Sequence, residues 1–319
     1  MARRRRSLEP NQRGLALIML ISILAMGGLY FFVSQFNSVR AHQDRDLKTA
    51  QALKMAKEAL IAWSVMSTTA PGQLPCPEDT SLIGMATEGQ AMASCGNTLR
   101  IGRLPWKTLK VGDLRDGYGE PLWYALSPGF RTVPINSATP AQLTLDGTGS
   151  AVAIVFSPGP PLAGQTRPAI SAAVPPAVAN YLDLSNGSGS TAFASTGSPE
   201  TFNDTLLAIN SQDLFSAVTP RLAGDLRGYP GKGLQGYMDI HGYLPCAATA
   251  ASAGLQVALT PTGLFPYNDP DMAFDTATNN RLANNNWFGI LTYSAPDCGT
   301  ATAMSATITI GSKIVSLRF

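Results

Sequence analysis

Hydrophobic and polar positions divide the chain into stretches of different rhythm. From Leu15 to Gln35 there is no charged residue, and about 20 apolar residues suffice to span a hydrocarbon core as a helix. Beyond Gln35 the pattern turns amphipathic. Phe36, Val39, Leu47, Ala50, Leu53, Leu60 and Ile61 recur at roughly helical spacing with charges between them. No Gly or Pro interrupts residues 29–70. One helix is therefore predicted from about Leu15 to about Ser67, on the order of 80 Å long at 1.5 Å per residue. Pro71 and Gly72 cannot continue it.

The next stretches read as strands and turns. Arg103-Leu104-Pro105-Trp106 precedes a turn at Asp116-Gly117-Tyr118-Gly119, which feeds a strand through Leu122-Trp123-Tyr124-Ala125-Leu126. Ala151-Val152-Ala153-Ile154-Val155-Phe156 is a second, buried-type strand. Residues 164–198 hold Pro175-Pro176 and Asn186-Gly187-Ser188-Gly189-Ser190 and read as an exposed connection. Helical periodicity returns from about Ser211 to Arg227, with Leu214, Phe215, Val218, Leu222 and Leu226 on one side.

Parts of the first half recur in the second. Gly72-Gln73-Leu74-Pro75-Cys76 is echoed by Gly242-Tyr243-Leu244-Pro245-Cys246, and Arg103-Leu104-Pro105-Trp106 by Gly263-Leu264-Phe265-Pro266-Tyr267. The strand ending in Tyr124 has a counterpart ending in Tyr293, at nearly the same distance from the preceding Leu-Pro-Cys. Two degenerate copies of one helix-plus-sheet module are expected, the fold class being α+β. A long N-terminal hydrophobic helix would continue into an amphipathic one packed on a small antiparallel sheet. The expected organisation is a leader at 1–14, an apolar helix at 15–35, a first module at 36–163, a loop-rich linker at 164–210 and a second module at 211–319.

Charge adds direction. Arg3, Arg4, Arg5, Arg6 and Arg13 all precede the apolar run, and without the first fourteen residues the chain is mildly acidic. That balance argues against nucleic acid as a partner. A basic flank holds the N-terminus in the cytoplasm and sends the rest outward. A secretory signal would have a shorter apolar core and a small-residue cleavage site, and Met26-Gly27-Gly28-Leu29-Tyr30 offers no Ala-x-Ala. A single membrane crossing is thus expected, with the N-terminus cytoplasmic and the bulk of the chain on the far side.

Gln12-Arg13-Gly14 followed by Leu15-Ala16-Leu17-Ile18-Met19, together with Asp116-Gly117-Tyr118-Gly119-Glu120-Pro121 through Tyr124 to Ser127-Pro128, resembles the type IV prepilin and type II secretion pseudopilin family. The resemblance implies cleavage between Gly14 and Leu15 by a prepilin peptidase, N-methylation of Leu15, partnership with other pilin or pseudopilin subunits, and a single-pass location in a bacterial inner membrane with the bulk of the chain in the periplasm. Met19 departs from the family pattern, which has a glutamate there. A carboxylate in an apolar helix needs a partner, in the family a neighbouring subunit's terminal amine. A subunit without it resembles a minor, tip-type or initiating one rather than a shaft-forming one. Competing readings are a signal-anchored periplasmic enzyme or ligand-binding protein, and an adhesin-type tip subunit.

Four cysteines in an exported chain point to disulfides, with three pairings open. The module reading selects Cys76 with Cys95 and Cys246 with Cys298. Neither a C-x-x-C nor a catalytic motif is present. No cofactor, catalytic residue or metal site is assigned. His42 and His241 read as a solvated and a locally bonded side chain. Related pseudopilins bind calcium in sheet loops, which singles out Asp113, Asp116 and Asp146 for inspection, although Asp116-Gly117-Tyr118-Gly119 is also a turn in its own right.

Overall fold

The computed structural model describes residues 12–96, 99–301 and 304–319, with the side chains of 12–16 and 29–38 left aside. The leader expected at 1–14 thus falls almost wholly outside the described residues. Helix α1 (Gln12–Met66) contains Gly14 and Leu15. Contact clustering separates residues 1–48 from 49–319.

Two expectations are corrected. Among the described residues no helix is long and apolar enough to cross a membrane. The described apolar side chains of α1 run only from Leu17 to Gly28, which spans about 18 Å as a helix against about 30 Å of hydrocarbon. The long hydrophobic N-terminal helix of the expected fold class, and with it the single-pass inner-membrane location, therefore fall. Within Leu17–Gly28 the large apolar residues are all exposed, Met19 at 59%.

The α+β character stands. Residues 49–319 carry two antiparallel sheets and the helices that pack on them. The first sheet contains β1 (Arg100–Arg103), β2 (Trp123–Leu126), β3 (Leu143–Leu145), β4 (Thr148–Ser157), β5 (Ala192–Phe193) and β6 (Thr205–Asn210). Its order is β1-β2-β4-β3-β5, with β6 also paired to β4; only β3 and β5 run parallel. The β3–β4 connection is a two-residue turn in which Asp146 and Gly147 both have positive φ, the geometry for which Asp-Gly is favoured. The second sheet has the order β10-β9-β8-β7, from β7 (Thr262–Leu264), β8 (Thr292–Ser294), β9 (Ser305–Ile310) and β10 (Lys313–Arg318).

The C-terminal part of α1 packs inward through Thr49, Ala52, Leu53, Ala56 and Leu60. The amphipathic face read from the sequence is thus only half right: Val39 and Leu47 are exposed, while Leu53 and Leu60 are buried. Helix α2 (Ser211–Arg227) begins at a capping box, in which the Asn210 side chain accepts from Asp213 N–H and the Asp213 carboxylate accepts from Asn210 N–H. It buries Leu214, Phe215, Val218, Leu222 and Leu226. Helices α3 (Gly233–His241) and α4 (Thr276–Asn284) follow. One apolar core joins the two halves, and Phe215 of α2 touches both Phe130 and Trp287. Polar bonds tie them as well: Lys57 pairs with Asp213 at 2.8 Å, and the Asn136 amide donates to the Asn285 carbonyl at 2.8 Å.

The stretch expected as a linker, 164–210, is instead built into the first half. β6 pairs along β4 from Thr205 to Asn210, and the loops before it are organised by buried polar groups. Arg167 pairs with Glu120 at 3.0 Å and lies over the Tyr181 ring. Asp183 accepts from Gln165 and from Asn203 N–H, while Asp204 accepts from Asp183 N–H and from Asn186. Burial pushes the Asp204 carboxyl up to about 6.

Both disulfides join the cysteines that the module reading pairs: Cys76 with Cys95 and Cys246 with Cys298. They are compatible with an extracytoplasmic location. The halves repeat each other in detail around them. A short 3-10 turn follows each Leu-Pro-Cys, at Thr80–Leu82 and Ala250–Ser252. Glu78 N–H donates to Arg103 O at 3.0 Å, and Ala248 N–H to Leu264 O at 2.8 Å. Lys107 N–H donates to Gly89 O and Asn268 N–H to Gly254 O, both at 2.9 Å. A Cβ on Gly89 would fall inside the Trp106 indole, and one on Gly254 inside the Tyr267 ring. Both glycines have positive φ, so in each repeat a bare backbone turn is covered by the aromatic after Pro105 or Pro266.

Candidate interaction surface

Helix α1 carries a second apolar stripe, flanking its buried face. Met55, Ala59, Ala62 and Met66 follow i, i+4, i+7, i+11 spacing, and Trp63 lies beside them. With Leu109 and Val111 from the turn after Trp106 they line an open groove of about 800 Å³. Met55 is 50% and Met66 74% exposed, so this face is apolar and uncovered. Glu58, Lys110, Gln73 and Thr108 supply polar groups to its lining. Gln73 is fixed by donating to the Arg131 carbonyl at 2.5 Å, and Thr108 by accepting from Ala91 N–H at 2.8 Å.

The sequence contains this stripe, but α1 is apolar on two sides here. Small alanines on both faces flatten the contrast that periodicity relies on. The signal available was Met55 and Met66 falling outside the face of Leu53 and Leu60.

Beside the groove lies a buried ion pair. Arg103 Nε is 3.0 Å from Glu78 Oε2, both side chains being almost wholly buried, and Glu88 approaches the same guanidinium at 3.4 Å. Glu78 Oε1 accepts from Gly89 N–H at 2.8 Å. Burial pushes the Glu78 carboxyl up to about 7, only partly opposed by Arg103 and the Gly89 bond. The second repeat has Ala248 and Leu264 at these two places, so the same scaffold is built there without the charges.

The acids singled out for calcium do not converge. Asp113 pairs with Arg115 at 2.6 Å. Asp116 is fully buried and its carboxylate accepts four bonds, from Tyr118 N–H, Glu120 N–H, Ser157 Oγ and Gly159 N–H. It therefore serves as the anchor of its own turn. Asp146 lies in the β3–β4 turn and accepts from Ser195. Among the described residues no group of three or more His, Cys, Asp and Glu is arranged to hold a metal ion. His241 is paired with Asp271 at 2.9 Å and packs at a tilt against the Tyr237 ring.

Of the residues expected to mark processing and assembly, Gly14 and Leu15 lie in α1 with undescribed side chains, and Met19 is exposed in the same helix. The four cysteines close the two Leu-Pro-Cys turns in the unit formed by residues 49–319. No family model, curated protein or solved structure matches this chain.

Proposed function

We propose that the chain is a minor pilin-like or pseudopilin-like structural subunit of a type IV pilus or type II secretion filament, acting at assembly initiation or at the tip. The observation that carries this reading is helix α1. One end presents uncharged, exposed Leu17–Gly28, and the other packs through Leu53, Ala56 and Leu60 into a disulfide-closed sheet unit. An uncovered apolar helical stretch of this kind is satisfied by apolar partners, here other filament subunits. The role is mechanical and recognitional: the apolar stretch joins the assembly, and the twin sheet unit presents the grooved surface. The Arg13-Gly14-Leu15 junction, read through the prepilin resemblance, supplies the processing step that releases Leu15 as the new N-terminus.

The test is the mass of the mature N-terminal peptide from cells that carry a prepilin peptidase. A chain starting at Leu15, with Gly14→Leu retaining the Arg-rich leader, supports the reading. A chain that keeps Met1, or starts beyond residue 25, removes it.

A further inference from the structure

The second sheet ends in a strand with an open edge. β10 pairs with β9 from Lys313 and Ile310 to Arg318 and Ser305, and Phe319 N–H extends the pairing to Met304 O at 3.0 Å. Antiparallel pairs alternate between bonded and unbonded residues, and the two-residue turn at Gly311-Ser312 makes Ile310 and Lys313 the first bonded pair. Lys313, Val315 and Leu317 therefore direct their backbone groups at β9. Ile314 and Ser316 direct theirs off the sheet, and no other group among the described residues bonds to them.

Other sheet edges are met. Glu78 N–H reaches Arg103 O of β1, Lys57 Nζ reaches Ala208 O of β6 at 3.1 Å, and Ala248 bridges to Leu264 of β7. Among the described residues the outward backbone of β10 is met only at its end, where Arg227 Nε donates to Arg318 O at 3.1 Å.

The side chains along this edge define what it admits. Val315 and Leu317 belong to the core, while Ile314, paired with Thr309, stands 63% exposed on the opposite face of the strand. Lys313 and Arg318 are exposed at the two ends, and neither has an acidic partner among the described residues. Two copies of β10 side by side would bring Lys313, Arg318 and Arg227 of both chains to one short seam. The edge thus repels a second copy of itself and by the same charge attracts an acidic strand.

We infer that the β10 edge takes up an extended acidic segment of another protein as a further strand of the second sheet. The segment runs antiparallel, as every pair in this sheet does. Its alternate backbone groups bond to Ile314 and Ser316. A β-branched residue opposite Ile314 covers the exposed apolar side chain, and carboxylates lie opposite Lys313 and Arg318. This goes beyond the filament reading and stands without it.

The probe is a fluorescein-labelled, end-capped peptide, Glu-Thr-Thr-Val-Val-Glu, beside a version with Lys at both ends. Fluorescence anisotropy against the full chain is expected to show saturable binding of the Glu peptide, at least about fivefold tighter than the Lys peptide. Lys313→Glu with Arg318→Glu should reverse that preference. Ser316→Pro removes an edge-facing N–H that β9 does not use, a place where a sheet tolerates proline, and should weaken the Glu peptide at least about tenfold with an unchanged unfolding midpoint. N-methylation of the peptide tests the same point on the unaltered protein. Methyl groups on the two residues opposite Ile314 and Ser316 should abolish binding, and methyl groups on the two opposite Val315 and Leu317 should leave it. Absence of saturable binding up to about 1 mM, equal loss from both N-methylated peptides, or a preference that the double charge reversal leaves intact would each overturn the proposal.

Discussion

Tyr293 donates its hydroxyl to the carbonyl of Pro245 at 3.0 Å. The bond closes the second repeat by tying the buried strand β8 back to the Leu-Pro-Cys turn. Tyr124 does the same to Pro75 at 3.2 Å in the first repeat. Both tyrosines are fully buried, and burial pushes both hydroxyls up, so they remain protonated donors at any physiological pH. Tyr124→Phe and Tyr293→Phe should each lower unfolding free energy by about 1–3 kcal/mol, because each leaves a buried carbonyl without its donor. Urea titrations of the two variants check this. Losses of similar size are expected, and a neutral variant in one repeat would mean that the two bonds are not equivalent.

The Glu78–Arg103 pair tests how a buried charge pair compares with its apolar counterpart. Replacing both at once by the second repeat's own residues, Glu78→Ala with Arg103→Leu, should change stability by less than about 1.5 kcal/mol, since a buried pair roughly breaks even against apolar side chains. Arg103→Leu alone removes the cation that opposes the burial of Glu78, so the carboxyl is pushed up further and the cost should approach about 3–5 kcal/mol only at alkaline pH, where a carboxylate is stranded in the core. The cost should shrink as pH falls and Glu78 takes up a proton. A double-mutant cycle read at two pH values measures all of this.

Glu78 and Asp204 also set the pH dependence of the wild type. Their carboxyls are raised by burial from 4.5 to about 7 and from 3.8 to about 6. Between those values the folded chain holds protons that the unfolded chain has released, so stability falls as pH rises from about 4 to about 7. Below that window the sign reverses: hydrogen bonds hold Asp275 and Asp146 below the usual carboxylate range, and acid removes what they contribute. Thermal unfolding should therefore give its highest midpoint near pH 4–5. A midpoint climbing steadily to pH 7 would contradict the ionisation assigned to Glu78 and Asp204.

The two disulfides close loops of different size, with separations of 19 and 52 residues. Removing Cys76–Cys95 by a double Ser substitution should cost about 3 kcal/mol and removing Cys246–Cys298 about 4 kcal/mol, on loop-closure entropy. Equilibrium unfolding of the two variants gives the values; the ordering is the sharper part of the expectation.

What was legible in the sequence is what local chemistry writes there. The two Leu-Pro-Cys turns, Pro105-Trp106 and Pro266-Tyr267, and the matched spacing to Tyr124 and Tyr293 are short motifs whose backbone role travels with them. Helix α2 announced itself through Leu214, Val218, Leu222 and Leu226 and stopped at Gly228. The place of 164–210 was not legible, because Arg167, Asp183, Asn186 and Asp204 find their partners across the fold and leave no periodic trace, while Gly, Ser and Pro around them read as open loop. The groove was hidden by a helix apolar on two sides. Leu15–Gln35 reads as a membrane span by its length, its missing charges and its basic flank, whereas the described exposed apolar stretch, Leu17–Gly28, is too short for one. Helix α3 is too short, nine residues after the break at Gly228, Pro230 and Gly231, to show a period of its own.

The central claim, membership of a filament in few copies, is tested most directly by counting. A C-terminally tagged chain, expressed at its natural level, is labelled with immunogold on sheared filaments, wild type beside Met19→Glu. The account predicts one or a few labels per wild-type filament, at the ends. It predicts more along the shaft for Met19→Glu, whose new carboxylate can pair with a neighbour's terminal amine. Dense, uniform labelling of wild-type filaments, or filaments that never carry the label, would contradict it.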